Sequence, residues 1–231
     1  MSAIFDIIDS RIMAQTHFQP AARQHGSIPR RIRRLRLRDL PVDTVELAKF
    51  LIGKSLVHEI PQGRLSGRIV ETEAYLVGDA AAHSFRGLTP RNKSLFLQRG
   101  HAYVYFCYGN HFMLNISGGE EGIGTGVLIR AVEPLEGIHI MKRARHTKQI
   151  LDLARGPGRV ASAFRINRKL DGLNLVAGDG PLWLGSAVRK TGPIGESIRI
   201  GITKDADRVL RFYELGSPFV SGPKRLNNGV A

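Results

Sequence analysis

The sequence predicts an α+β domain, and three observations carry that reading. Strand pairs joined by short turn segments dominate the chain. A smaller number of amphipathic stretches begin with helix-capping residues. No repeat of roughly 20–50 residues and no low-complexity tract points to a solenoid or an array.

Residues 1–39 read as a basic, flexible N-terminal arm. Between Arg30 and Arg38 six of nine residues are arginine, and such charges repel one another and resist packing. The alternation of arginine with Ile32, Leu35 and Leu37 leaves a short strand open there, and a nuclear address is a rival reading of the same run. The body spans residues 40–220, followed by a tail, 221–231. Asp43 or Thr44 can cap a helix whose apolar face is Val45, Leu47, Phe50 and Leu51 and which Gly53 ends. Residues 54–60 and 64–76 form a strand pair joined by Pro61-Gln62-Gly63. A loop follows to about Arg91, then a short helix ending near Gly100. Residues 101–108 and 111–117 are strands joined by Gly109-Asn110, which tolerate positive φ. Residues 125–132 form a further strand and 135–148 a basic amphipathic helix. Gly156-Pro157-Gly158 opens another helix through Phe164. Short strands lie around 182–184, 197–202 and 209–215.

Charge narrows the partner. The 231 residues hold 34 Lys and Arg against 20 Asp and Glu, a net +14. Residues 1–40 supply +5 and the remaining 191 supply +9, so the body itself is basic. A polyanion, most often nucleic acid, is the expected partner, against the plainer reading of a soluble cationic protein. No stretch approaches the ~18 apolar residues of a membrane span. The opening residues lack the order of a secretory signal, because Asp6 and Asp9 interrupt the apolar run. A single cysteine, Cys107, can form neither an intramolecular disulfide nor a cysteine zinc site, which fits a reducing, intracellular setting. Cys107 reads as a packing residue. The eight histidines show no H-E-x-x-H and no convincing ligand spacing, so no metal is expected. Gly122-Ile123-Gly124-Thr125-Gly126 lacks the G-x-G-x-x-G spacing and precedes a strand, so it reads as a turn.

The segment 68–75 (RIVETEAY) is different. Period-2 alternation puts Ile69, Glu71, Glu73 and Tyr75 on one face. Two carboxylates and a phenol suit a solvated outer face. The segment 103–108 (YVYFCY) weighs against that, since Tyr103 and Tyr105 share a face and Tyr108 reaches the hairpin tip. Carboxylate, phenol rings and a basic body together describe a pocket able to stack a base and activate a water.

Several ordered segments then carry a resemblance: RIVETEAYL (68–76), AAHS (81–84), TPRN (89–92), YVYFCYG (103–109), NIS (115–117), VLIRAVEP (127–134), and LRFY with GSP (210–218). In order and spacing they resemble the alkyladenine DNA glycosylases, the 3-methyladenine DNA glycosylases of mammalian type. The resemblance covers about residues 40–218 and leaves the arm outside. It implies a single domain with a curved antiparallel sheet and a hairpin that enters the minor groove of double-stranded DNA. It implies a monomer, found with DNA inside the cell, that hydrolyses the N-glycosidic bond of alkylated or deaminated purines without metal or organic cofactor. Glu73 would be the general base, and Arg130 would help hold water and lesion backbone. Tyr75, His83 and Tyr105 would line the base pocket, Asn115 would exclude normal guanine, and Tyr108 would fill the vacated space in the duplex. Thr89 and Arg91 would touch the DNA backbone.

Asn110 departs from the apolar residue that better-known relatives carry beside the wedge. No lysine occupies a matched catalytic position, so base release without strand cleavage is expected. Glu71 would raise the pKa of Glu73 unless it is paired or turned away. The rival reading is a nucleic-acid-binding module of the same fold without catalysis, which would lack Glu73, Tyr108 or Arg130; all three are present. A hydrolase of another glycoside is a second rival, against which the net charge and the hairpin tyrosine speak.

Overall fold

Helix α1 (Thr44–Leu51) starts where a cap residue allows it. The Asp43 carboxylate accepts hydrogen bonds from the Val45 and Glu46 amides, both at 2.9 Å, and the helix buries Leu47, Ala48 and Leu51. The computed structural model describes residues 31–107, 109 and 111–228. The wedge assignment to Tyr108, the departure at Asn110 and the arm expectation for residues 1–30 lie outside the described residues.

The strands are β1 (Ser55–Ile60), β2 (Gly63–Tyr75), β3 (Ala102–Cys107), β4 (His111–Ser117), β5 (Gly126–Glu136), β6 (Leu182–Gly185), β7 (Ile194–Ser197) and β8 (Arg211–Glu214). They pair antiparallel in the order β3-β4-β5-β2-β1-β6, while β8 joins β2 to β7. The thirteen-residue β2 is the axis of this curled sheet. One edge of β2 follows β5. The other pairs with β1 over residues 63–68 and with β8 over residues 71–73.

At that change of neighbour the register with β5 slips between Ile69 and Glu71 and again before Thr72. An added residue in a strand reverses which face the following side chains occupy. Ile69 therefore lies in the main core with Ala74, not beside Glu71 and Glu73 as strict alternation predicts.

The two sheet faces have different work. On one, α1, α2 (Ile138–Arg145) and α3 (Pro157–Ala163) cover the main core, which includes Leu51, Leu56, Leu114, Ile129, Val132 and Phe164. The alternate residues of β3, β4 and β5 build a smaller cluster from Tyr103, Tyr105, Met113 and Leu128, joined by Leu95, with Tyr75 against its edge. No helix among the described residues is long and apolar enough to cross a membrane.

Boundaries differ from expectation for physical reasons. Strand β5 runs on to Glu136, and Gly137 (φ +73°) turns the chain into a shorter α2; a Cβ there would sit 2.6 Å from the Arg64 carbonyl oxygen. The helix expected before Gly100 is one 3-10 turn, Lys93–Phe96. Strand β7 ends at Ser197, and residues 198–202 leave the sheet. The packed chain also begins before Leu40. Leu35 is buried and its amide bonds the Leu184 carbonyl at 2.9 Å, while the Arg34 guanidinium lies 4.3 Å from the Trp183 ring centre. The strand left open here is a single bridge, Arg34 to Gly185. Arginine does not prevent packing at this point, because the leucine enters the core while the cation stays over an aromatic face.

Candidate active site

The cluster on the open sheet face borders a cavity of about 320 Å³. Tyr75, His83, Tyr105, Asn115 and Arg130 all line it, so one residue from each of five separated segments meets at this cavity. Tyr103 and Tyr105 stack with ring centres 5.2 Å apart, and His83 stands edge-on to Tyr105 at 4.4 Å. The Tyr103 hydroxyl is 2.9 Å from His83 Nδ1 and so fixes the imidazole. Burial pushes the Tyr103 phenol up to about 12 and lowers the His83 pKa, with the Arg91 guanidinium nearby adding to the effect on the histidine. His83 is a neutral ring at neutral pH.

Asn115 is buried, and its amide nitrogen meets no hydrogen-bond partner among the described residues. A buried donor without a partner costs free energy unless something entering the cavity satisfies it. Thr89 and Arg91 do not line the cavity. They sit exposed on a turn closed by Asn92, whose side chain accepts from the Thr89 amide at 2.7 Å and donates to the His83 carbonyl at 2.9 Å. Cys107 lines the cavity as well as packing.

Behind the cavity the two carboxylates of β2 are both fully buried, which removes the solvated-face reading. Their surroundings differ. Glu71 accepts from Arg130 Nε at 2.8 Å, Arg211 Nε at 2.7 Å, the Ser221 amide at 2.6 Å and the Ser221 hydroxyl at 3.0 Å. Burial opposes its charge, yet Arg130 and Arg211 beside it hold its carboxyl below the ordinary range. Glu73 accepts from the Ile200 amide at 2.7 Å and the Tyr75 hydroxyl at 3.0 Å, and Arg130 Nη1 lies 3.2 Å away. Burial dominates there and pushes the carboxyl up, with Arg130 offsetting only part of it. Tyr75, Arg130 and Ile200, the residues that hold Glu73, all line the cavity. The two carboxyls therefore differ in their surroundings: Glu71 is saturated by four protein donors, whereas Glu73 lies one layer behind the cavity wall, held by residues that line it.

Two loops make the remaining walls, and they are fastened to each other. Arg199 pairs with Asp79, donates to the Asp205 carbonyl at 3.1 Å, and lies 4.7 Å from the Tyr75 ring centre. In return the Asp205 carboxylate accepts from the Ala80 amide at 2.8 Å. Sequence reasoning gave no part to Arg199, Ile200, Arg211 or Ser221. Only Tyr103 had a local signal, its place two residues before Tyr105.

A family model described as methylpurine-DNA glycosylase (MPG) matches residues 38–218. A protein of Mesorhizobium japonicum is 64% identical over 188 residues, covering 81% of this chain and 90% of its own. One of Paraburkholderia phytofirmans is 52% identical (81% and 88% covered), and one of the archaeon Methanoculleus marisnigri 48% identical (78% and 94%). All three carry the name "Putative 3-methyladenine DNA glycosylase". The chain belongs to the methylpurine-DNA glycosylase family, DNA-repair enzymes that hydrolyse an N-glycosyl bond.

Proposed function

We propose that the protein releases alkylated or deaminated purines of the 3-methyladenine, hypoxanthine and ethenoadenine class from duplex DNA, using a water activated by Glu73, and leaves the strand uncut. The observation that carries this reading is the division between Glu71 and Glu73. One carboxylate is spent on four protein donors, and the other is held by three groups that themselves border a base-sized aromatic cavity.

The chemistry follows from the geometry. A stacked base hides its glycosidic bond, so the nucleotide must first turn out of the duplex, which costs a few kcal/mol and less for a damaged or mispaired base. The faces of Tyr75 and Tyr105 receive the extruded ring, and a quaternised purine is attracted to them as a cation. Neutral hypoxanthine lacks that attraction and draws on hydrogen bonds, for which the Asn115 amide and the neutral His83 ring are available. As the bond breaks, positive charge grows on the sugar. Glu73 takes the proton of the attacking water and its charge stabilises the sugar cation. Burial keeps the Tyr75 phenol protonated, so it donates to Glu73 and orients it. Thr89, Arg91 and Tyr108 are assigned to the duplex, the first two to its backbone and the third to the gap left by the base. The protein acts as a monomer on this reading.

The test is incubation of the purified protein with duplexes carrying 3-methyladenine, hypoxanthine or ethenoadenine. Free base should appear with an intact abasic strand. Absence of free base from all three, or strand breaks without alkali, overturns the proposal.

A further inference from the structure

The C-terminal segment lies past residue 218, where the family match ends, and read as a tail in the sequence. It is instead built into the ground beneath the active site. Ser221 is buried, and both its amide and its hydroxyl donate to Glu71. The Ser221 hydroxyl also lies 3.5 Å from Arg130 Nη2. Arg211, fully buried, is gripped by the same segment: Nη1 donates to the Leu226 carbonyl at 2.9 Å, and Nη2 to the Ser221 carbonyl at 3.0 Å and Asn227 Oδ1 at 2.7 Å. The Asn227 amide closes the ring on the Ser221 carbonyl at 3.3 Å. Gly222 has φ +79°, and a Cβ there would meet Ile200 Cδ1 at 2.4 Å. Ile200 is the residue whose amide holds Glu73.

We propose that residues 221–227 are a clamp for the hydrolytic site, with Ser221 and Asn227 as positioning residues that act through Glu71 and Arg211 on Arg130. The argument rests on the assignment of Glu73 and Arg130 to hydrolysis. Glu71 is shared between Arg130, Arg211 and Ser221, so each fixes the others' distance from it. Removing a Ser221 donor leaves Glu71 to its two cations, and Arg130 is drawn toward Glu71 and away from Glu73. Glu73 faces Tyr75 and Glu71 on its own strand, Arg130 on β5 and the Ile200 amide on the loop before β8. Arg211 stands behind Glu71, and Arg199 behind Tyr75. Arg130 is the cation that opposes the burial of Glu73, so its retreat raises the pH at which Glu73 ionises.

The experiment measures single-turnover release of hypoxanthine from duplex DNA across pH, for full-length protein carrying Ser221→Ala, Ser221→Thr, Asn227→Ala or Glu73→Gln. Ser221→Ala and Asn227→Ala should each slow the step between about 10- and 100-fold, as small misplacements of catalytic groups do. Their acid limbs should move to higher pH while affinity for the duplex stays within about two-fold, below the threshold of a lost charged contact. Ser221→Thr keeps the hydroxyl and should restore most of the rate. Asn227 is only partly buried, so its variant reports even where Ser221→Ala fails to fold. Rates and acid limbs that superimpose on the unmodified protein's, or a lowered Tm with an unmoved limb, overturn the clamp. An active Glu73→Gln would instead overturn the assignment on which it rests.

Discussion

Glu73→Gln and Glu71→Gln make the same chemical change two residues apart, and the structure predicts opposite consequences. Glutamine at 73 keeps an oxygen for the Ile200 amide, and its NH2 can donate to the Tyr75 hydroxyl once that turns round. What it lacks is basicity and charge. General-base help is worth about 10²–10⁴ in rate, and excision should fall at least that far. Stability should suffer little. The fold raises the pKa of Glu73, so folding opposes its ionisation. Its contribution is present below the ordinary value of 4.5 and is lost as pH rises through the folded value. A neutral amide removes the cost of burying that charge, and Arg130, though it loses one anion, keeps its pair with Glu71, so Tm should change far less than for Glu71→Gln.

Glu71→Gln is the reverse. Arg130 and Arg211 are both buried, and each would lose the anion between them. Breaking such a pair costs about 3–5 kcal/mol. In a domain of this size that is a fall in Tm of about 10 °C. The assay is single-turnover base release at saturating enzyme, with duplex binding and thermal melting followed in parallel. A Glu73→Gln protein that cuts at near the unmodified rate, or a Glu71→Gln protein that is stable and dead, would refute the division of roles.

Other expectations follow from the same surfaces. Asn115→Ala should admit guanine, because the N2 amino group then has room; an unchanged preference for hypoxanthine over guanine opposite thymine would remove Asn115 from selection. Tyr108→Ala should slow release from a well-paired site more than from a mismatch, and equal rates on both would end its assignment to the duplex. With about 6–10 phosphate contacts, log–log plots of DNA binding against salt should slope roughly −5 to −9. Deleting residues 1–30 should flatten that slope while single-turnover excision survives; deletion through residue 36 removes the buried Leu35 and should lower Tm as well. Glu71, Asp79 and Glu214 are opposed by burial but held below their ordinary pKa values by Arg130, Arg199 and Arg68 respectively. Their stabilisation is complete above the unfolded values of 3.8–4.5 and is lost as pH falls through the folded ones, so melting curves should drop steeply with acid below about pH 4.5.

What could be read in the sequence was what neighbours in the chain decide. The Asp43 cap, the β1–β2 hairpin and the shared face of Tyr103 and Tyr105 all depend on spacings of a few residues. The bulge at Ile69 escaped because it arises where β2 exchanges β1 for β8, a fact of topology and not of period. The expected strand at 197–202 is a loop for a related reason: Ile200 gives its amide to Glu73, 127 residues away, and not to a sheet partner. Arg211 reads locally as one polar residue in a short strand. Its meaning appears only when Glu71, Ser221 and Asn227 converge on it.

The reciprocal fastening of Arg199 to Asp79 and of Asp205 to Ala80 has a bearing on how damage is found. Loops tied in both directions resist moving apart, so contacts within the chain itself hold the walls of the cavity together. A preorganised receptacle loses little conformational entropy on filling. The labour of search then passes to the other molecule. Each base pair opens at a frequency set by its own pairing and stacking, and weakened pairs open more often. On the proposed function, breathing of the duplex then acts as a first sieve, and a cavity already built favours the bases that open most often.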